Sequence, residues 1–379
     1  MQKDFHYYAT YCAAFLAGYD HEDSLAIAYS AQFVDDCSRS VLRRLKAPLN
    51  VASTQLNLEL MEITTDILGI QDITRIWASF HFLPRDLYAQ KEGCGKLYMD
   101  KYRLICGPNG ELVKDTVTLA KKKSLQSVGI AMHVVADTWA HRNFAGTPSL
   151  VINNTDAHFF EILPDGTERK IKFRHSLSAP DDPENGLYTG SIYQSAENSI
   201  MNLGHGRAGH LPDYSFCRYK YLPAWNEYRE MYKDNPSDYW NAFRQLIYAM
   251  KFLRGEYDEF HTDTYENKAV EGFEDEIRAI LNKRQTESGS CADWKAFGEK
   301  LSGKEIPDYN ENTYQDEYIT ANKDEKSDTF LGKFFEGTLA QKSMVTSRIF
   351  ESGNLLAGYS VDPETGKLIR QMVKGGLKR

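Results

Sequence analysis

Residues 129–144 contain three potential metal ligands at equal spacing. His133, Asp137 and His141 occur four residues apart, in a segment whose apolar residues recur at helical spacing. Because an α-helix has about 3.6 residues per turn, the three side chains lie on one side of the helix. The two histidines are separated by about 12 Å along the axis, too far for one ion to bind both. A carboxylate between them could bridge two ions, so we predict a multi-metal site along this helix. The alternative is that these are hydrogen-bonded core residues.

Four other clusters contain residues of the same ligand types. They are Asp4 and His6 in the first predicted helix, Asp35 and Asp36 late in the second, His81 just before Pro84, and His205, His210 and Asp213 in the segment 204–213. The last segment also contains three glycines, which favour close approach of the backbone. We therefore predict that all eight residues are metal ligands.

Each of these clusters has a simpler interpretation as well. Asp4 could be a helix N-cap, and His81 could be a core histidine among Phe80, Phe82 and Leu83. Asp35 and Asp36 could form a solvated acidic pair, although the Phe-Val before them predicts that at least one carboxylate points inward. The sequence leaves open which of the two it is.

Composition limits the protein classes that fit. The chain has 379 residues and a formal net charge of −8, which argues against stable binding of nucleic acid. The six cysteines include no CxxC pair, so we expect free thiols. The N-terminus lacks the pattern of a signal peptide, and no run of about 18 apolar residues could span a membrane. We expect a cytoplasmic protein, and the sequence does not predict its oligomeric state.

The pattern of apolar residues predicts a mainly α-helical chain. Helices are predicted at residues 6–20, 22–46, 55–80, 123–145, 236–255, 266–284 and 327–357. Two segments with alternating apolar residues and Pro/Gly turns, near 97–117 and 157–173, predict β-hairpin insertions. We assign residues 1–285 to a helical metal-binding domain and 286–379 to a polar, partly helical C-terminal extension.

The helix at 129–144 resembles the central helix of the zinc-dependent phospholipase C / P1 nuclease superfamily, whose proteins are mostly helical and bind three zinc ions. The resemblance implies that His133 and the bridging Asp137 belong to that helix, that His141, His205, His210 and Asp213 form a second site, and that Asp35 or Asp36 and His81 complete the first. It also implies that His6 belongs to the third site. An N-terminal tryptophan amine binds zinc in that superfamily, and Asp4 is expected to substitute for it here.

A second resemblance is closer in motif. The start Met-Gln-x-Asp-Phe-His-Tyr-Tyr and the segment His-Gly-x-x-Gly-His-x-Pro-Asp resemble an uncharacterised bacterial family, DUF6765. The resemblance to this family does not imply a function.

The ligand set predicts a metal-dependent hydrolase with two or three ions, zinc or another divalent metal. Zinc lowers the pKa of a bound water towards about 7, and the hydroxide so formed could attack a phosphoester. Asp137 would bridge ions and Asp36 or Asp4 would orient the water. The expected substrate is a small phosphoester, a phospholipid or a nucleotide. Alternatives are a hydrolase of another ester or amide class and a non-catalytic scaffold stabilised by metal. Hydrolases of the HD type fit less well, since the chain has no His-Asp dipeptide.

Aromatic residues near the predicted ligands have two interpretations. Tyr7, Tyr8, Phe80, Phe82 and Trp139 could stack on a substrate base or contact lipid, or they could simply pack in the core.

Overall fold

The computed structural model describes residues 1–48, 50–56, 67–174, 180–190, 196–197 and 199–357, together with the strands at Ser360–Val361 and Leu368–Ile369. The described chain is mainly α-helical, as predicted. The helices are α1 (Thr10–Leu16), α2 (His21–Asp36), α3 (Arg39–Arg44), α4 (Ile67–Phe80), α5 (Lys96–Tyr102), α6 (Glu111–Ala120), α7 (Leu125–Ala140), α8 (Leu150–Asn153), α9 (Asn235–Leu253), α10 (Glu274–Asn282), α11 (Glu287–Ser302), α12 (Gln315–Thr320) and α13 (Phe330–Glu351). None of the described helices is both long enough and apolar enough to cross a membrane.

Helix α7 is the central element of the fold. Helices α2, α4, α6, α9 and α13 all contact it, and every residue from Val128 to Ala140 is buried. The helix begins at the N-cap Ser124, whose hydroxyl accepts a hydrogen bond from the Ser127 amide. Gly129 allows α2 to approach closely, because a Cβ there would lie 2.4 Å from the Ile27 carbonyl oxygen. The predicted ligands of this helix are therefore in the protein interior.

The N-terminal segment is helical in an unusual way. Asp4–Ala9 forms a π-helix that continues directly into α1. Such wide turns are rare and are frequently found at functional sites. All six residues of the π-helix are buried, including His6.

Several predicted helices are shorter than expected. The helix predicted at 22–46 is two helices, because α2 ends at Asp36 and Ser38 caps α3. In the segment 55–80, α4 is continuous through Gly69, while residues 57–66 lie outside the described part. At 266–284 a 3-10 turn, Lys268–Val270, precedes α10.

The strands form one four-stranded sheet and two small pairs. The sheet has the order β2-β1-β5-β6 and is antiparallel throughout. Its strands are β1 (Phe160–Ile162), β2 (Glu168–Lys170), β5 (Arg218–Tyr221) and β6 (Met231–Asp234). Strands β3 (Lys172–Arg174) and β4 (Leu187–Thr189) pair in parallel, and β7 (Ser360–Val361) and β8 (Leu368–Ile369) pair antiparallel. The hairpin predicted near 157–173 corresponds to β1 and β2 and is confirmed.

The hairpin predicted near 97–117 is wrong. The structure has helices α5 and α6 there, joined by a turn in which Asn109 adopts a left-handed φ of 65°. The buried residues of α6 follow helical spacing: Leu112, Val113, Thr116, Val117 and Ala120. A short apolar run fits the helical period of 3.6 residues as well as the strand period of two. The Pro-Asn-Gly turn therefore decided the prediction, and it favoured a hairpin wrongly.

The C-terminal residues pack into the same core as the rest of the chain. Helix α11 contacts the N-terminal π-helix, and its Trp294 and Phe297 are buried. Helix α13 packs on α4 and α7. The described part of the predicted C-terminal extension, residues 286–379, thus packs against the helical body, and the boundary at residue 285 stays a prediction.

Candidate metal centre

The Asp137 carboxylate lies at the middle of the predicted ligands. Its Oδ1 atom is 3.1 Å from His6 Nε2. Its Oδ2 atom is 3.2 Å from His133 Nε2 and 3.3 Å from His81 Nδ1. One carboxylate on α7 therefore faces side chains from the N-terminus, from the end of α4 and from its own helix.

Three groups of side chains have donor atoms within 4.8 Å of one another. The inner group is His6, His133 and Asp137; the middle group is Asp35, His81 and His133; the outer group is His141, His205 and Asp213. Each group offers three nitrogen or oxygen donors, the number that catalytic zinc sites take from protein.

Four histidines of these groups are oriented by the backbone. One ring nitrogen of each is within hydrogen-bond distance of a carbonyl oxygen. The pairs are His133 Nδ1 with Ala31 (2.9 Å), His81 Nε2 with Thr54 (2.9 Å), His141 Nδ1 with His81 (2.7 Å) and His205 Nδ1 with Gly209 (2.8 Å). A carbonyl oxygen only accepts, so these nitrogens carry the hydrogen. In the neutral ring the opposite nitrogen then presents a lone pair to the centre, as in metal-binding histidines.

The ring nitrogens of two of these histidines face each other. His133 Nε2 and His81 Nδ1 are 3.3 Å apart, and each is the nitrogen opposite the carbonyl-bonded one. Two lone pairs at this distance repel each other unless a proton or a cation lies near both. The donor chemistry of the centre therefore fits a bound cation.

His6 is arranged differently from the other four. Its Nδ1 is buried and has no hydrogen-bond partner among the described residues, while its Nε2 faces Asp137. No carbonyl fixes the tautomer of this ring. His6 instead stacks on His133, with ring centroids 3.9 Å apart.

The Met1 ammonium lies between the inner and outer groups. It is 2.7 Å from Asp137 Oδ1, 3.0 Å from His141 Nε2 and 3.4 Å from Asp213 Oδ1. Burial lowers the pKa of this amine, but Asp137, Asp213 and Asp35 outweigh burial and raise it to about 10. We expected Asp4 to take the place of an N-terminal amine at the centre. The Asp4 carboxylate instead accepts a hydrogen bond from Ser290 of α11 at 2.6 Å.

The groups of the centre differ in their charge states: burial lowers the pKa of His81, but Asp137 and Asp35 outweigh burial and raise it, whereas other groups take the forms that bind metals. Burial alone would raise the pKa of Asp137, but His141, the Met1 ammonium and His133 hold it well below its usual range. The pKa of Asp213 is also held low against burial, by His205 and the ammonium. Burial lowers the pKa of His6 and of His205 to about 4, so both rings are neutral at neutral pH. Ionised carboxylates and neutral imidazoles are the forms that bind metals.

Three predicted ligands lie outside the three groups. Asp4 contacts α11, as described above. Asp36 accepts a hydrogen bond from the Tyr309 hydroxyl at 2.5 Å, and burial raises its pKa to about 6. His210 has a side chain 52 % exposed, and its Nδ1 lies 3.4 Å from Asp213 Oδ2. Of the adjacent pair, Asp35 is the residue that lies near His81 and His133.

A cleft of about 410 Å³ opens beside the centre. Its lining comprises Met1, Gln2, Lys3, Gln32, Asp35, Asp36, Gln55, His210, Asp213, Glu287 and Tyr309. Tyr309 comes from the C-terminal third of the chain, and no local pattern in the sequence connects it with the centre. The aromatic residues considered earlier, Tyr7, Tyr8, Phe80, Phe82 and Trp139, are buried in the core instead. Phe82 nevertheless stacks on His141, with centroids 4.7 Å apart.

A buried ion pair braces the end of α7. The Lys233 ammonium donates to the Trp139 carbonyl at 3.0 Å and pairs with Asp238, which also receives a hydrogen bond from Arg142. Trp139 lies between Asp137 and His141 along the chain, and Arg142 directly follows His141. These contacts hold the C-terminal turn of α7, where His141 is the C-cap.

Comparison with known proteins gives a family but no characterised relative. Neither the curated proteins nor the solved structures include a match to this chain. The model of a family of unknown function, DUF6765, matches residues 1–349, which include the whole centre and its cleft. The chain therefore belongs to the DUF6765 family.

Proposed function

We propose that this protein is a metal-dependent hydrolase of phosphoesters with two or three divalent ions, preferably zinc, at the histidine–aspartate centre. One observation carries the proposal: four histidines donate to backbone carbonyls and present their other nitrogens to Asp137, Asp213 or each other. Such second contacts are typical of metal-binding histidines, and a purely structural hydrogen-bond network would not need four of them.

The proposed ligands are those of the three groups, with Asp137 as a bridge between ions. Asp137 suits this role because both of its oxygens have imidazole nitrogens within 3.3 Å. His210 lies beside Asp213 at the exposed end, where it could complete the outer group. A divalent ion at such a site lowers the pKa of the water it binds and polarises phosphoryl oxygens.

Asp36 is the proposed proton acceptor for the attacking water. It lines the cleft next to Asp35 without belonging to a ligand group. Burial raises the pKa of Asp36 to about 6, which brings it nearer to neutral pH, where a general base works best. Tyr309 donates a hydrogen bond to the Asp36 carboxylate and thereby holds its orientation.

The lining of the cleft supports a small substrate that depends on metal for binding. About 410 Å³ is within the range of small-molecule sites. Four carboxylates, Asp35, Asp36, Asp213 and Glu287, line the cleft, and its cations are Lys3 and the Met1 ammonium. A phosphoester is repelled by this surface unless cations neutralise it, so we expect no phosphate binding to the metal-free centre.

The test combines metal analysis with turnover. We expect two or three equivalents of zinc in the purified protein by mass spectrometry, and hydrolysis of bis(p-nitrophenyl) phosphate. His133→Ala should lose metal and activity. The matched control is His261→Ala, because His261 is 60 % exposed and lies outside the groups. A wild-type protein with no bound metal and no uptake of zinc, manganese or iron would contradict the proposal.

A non-catalytic, metal-stabilised protein is the second candidate. The observation in its favour is the depth of the inner group, because His6 and His133 are 0 % exposed and Asp137 is 1 % exposed. A structural ion stabilises the folded state by mass action. A large fall in melting temperature on adding a chelator, without turnover of any phosphoester tested, would favour this candidate over the hydrolase.

A further inference from the structure

A second and larger pocket lies apart from the metal centre. It has a volume of about 710 Å³ and lies between α3, residues 47–48 and 50–53, α4 and α13. The two pockets have no described lining residue in common. The metal centre therefore does not account for this pocket.

The wall of this pocket is strongly basic. Arg39 and Arg43 come from α3, Arg75 from α4 and Lys342 from α13. Among the described lining residues none is acidic. Four cations from three separate helices thus converge on one cavity.

The cations are only partly neutralised. Asp72 contacts both Arg39 (3.4 Å) and Arg75 (3.6 Å). Within the described part of the chain, neither Arg43 nor Lys342 forms an ion pair. Arg43 and Lys342 therefore give the described wall of the pocket an excess of positive charge.

Hydroxyl groups lie among these cations. Ser53, Ser343, Thr346 and Ser347 line the same cavity, and Thr346 Oγ1 is buried without a hydrogen-bond partner in the described structure. Burial lowers the pKa of Lys342; Asp72 opposes this shift, while Arg75 and Arg39 add to it. An anion in the pocket would relieve this repulsion. Guanidinium and ammonium groups together with hydroxyls are the donors that bind phosphate.

Apart from Asn50, the remaining wall is apolar. Leu42, Ala47, Pro48, Val51 and Leu339 contribute it. A ligand that fills this cavity therefore has an anionic end and a less polar body, and the volume is in the range for a drug-sized molecule. We propose that this pocket binds a phosphorylated small molecule of nucleotide size, at a site separate from the metal centre.

The test is calorimetric titration of the full-length protein with ADP. We expect ADP to bind, and the dissociation constant to rise about tenfold in Arg43→Glu and in Lys342→Met, since each loses one charged contact to phosphate. Arg43 is exposed, so its substitution leaves folding intact. Lys342→Met keeps the aliphatic stem of the side chain.

Lys333→Glu is the matched control, because Lys333 lies exposed on the same helix but outside the pocket. Its ADP affinity should stay within about twofold of wild type. Failure of wild type to bind ADP, or equal affinity in wild type, Arg43→Glu and Lys342→Met, would overturn the proposal. Inorganic phosphate binding as tightly as ADP would overturn the assigned ligand size.

Discussion

The two sides of the metal centre use the same residue types but are built in opposite ways. On the helix side, His133, Asp137 and His141 project from α7 with side chains 0 %, 1 % and 6 % exposed. On the loop side, His205, Asp213 and His210 come from the segment 204–213, in two 3-10 turns, with 17 %, 7 % and 52 % exposed. A helix held on several sides by packing keeps its ligands rigid, whereas a loop lets them exchange with water. We therefore expect the helix side to bind metal more tightly.

The largest effect is expected from Asp137→Asn. The amide has nearly the same shape but loses the charge that faces His6, His133 and the Met1 ammonium. Bound zinc should fall by at least two equivalents, and phosphodiesterase activity by at least about 100-fold, or about 2.7 kcal/mol in the activation barrier. Metal analysis and a kinetic assay measure both. Asp115→Asn, in a pair with Arg348 outside the groups, should retain metal and activity. Retention of full zinc by Asp137→Asn would contradict the bridging role.

The second largest effect is expected on stability, from a substitution that disturbs the packing of α7. A Cβ at residue 129 would lie 2.4 Å from the Ile27 carbonyl oxygen, so Gly129→Ala must push α7 away from α2. Overpacking of this kind costs about 1–3 kcal/mol of unfolding free energy, which urea denaturation measures. In the control Gly95→Ala the new methyl group has no neighbour within 4 Å, and stability should change little. Equal stability of the two variants would show that α7 is less rigidly held than the comparison requires.

The loop side has its own glycine test. Gly209 has φ of 56° and ψ of −141°, a conformation almost confined to glycine, and a Cβ there would lie 2.1 Å from the Thr189 carbonyl oxygen. Since the Gly209 carbonyl orients His205, Gly209→Ala should lose the metal of the outer group, about one equivalent, and keep that of the inner and middle groups. Gly255→Ala is the control, because Gly255 also has positive φ but open space around it. Loss of all metal in Gly209→Ala would show that the two sides are one cooperative unit.

The smallest effect is expected from His210→Ala. This side chain is half exposed, and within the described part of the chain its hydrogen-bond partner is Asp213, with Nδ1 3.4 Å from Oδ2. We expect zinc affinity, measured by competition with a chelating dye, to fall less than tenfold, about 1.4 kcal/mol or less. Loss of a whole equivalent of zinc would make His210 a principal ligand. It would also mean that the loop side binds metal nearly as tightly as the helix side.

Sequence patterns predicted the helix side of the centre better than its surroundings. The spacing of His133, Asp137 and His141 is a local property of one helix, and the structure brings all three together. The family assignment rested on short motifs at both ends of residues 1–213 and is confirmed by the match over residues 1–349. The hairpin near 97–117 was wrong because its apolar residues fit either period and a Pro-Asn-Gly turn does not require strands on both sides.

The role of the C-terminal residues could not be predicted from composition. Residues after 286 are polar on average, but Trp294 and Phe297 occupy one face of α11 and are buried. This face covers the N-terminal π-helix, and the Ser290 hydroxyl binds Asp4. Contacts across more than 280 residues depend on the whole fold, and a local window of sequence contains no sign of them.

The sequence by itself determined which residue types occur at helical spacing on α7, because helix geometry depends only on neighbouring residues. Only the tertiary structure decided that Asp35 rather than Asp36 joins the histidines, and that Tyr309 holds Asp36. The same holds for the ring orientations, since the carbonyls of Ala31, Thr54, His81 and Gly209 come from four separate places in the chain. These contacts require packing between distant elements, and packing is a property of the folded chain as a whole.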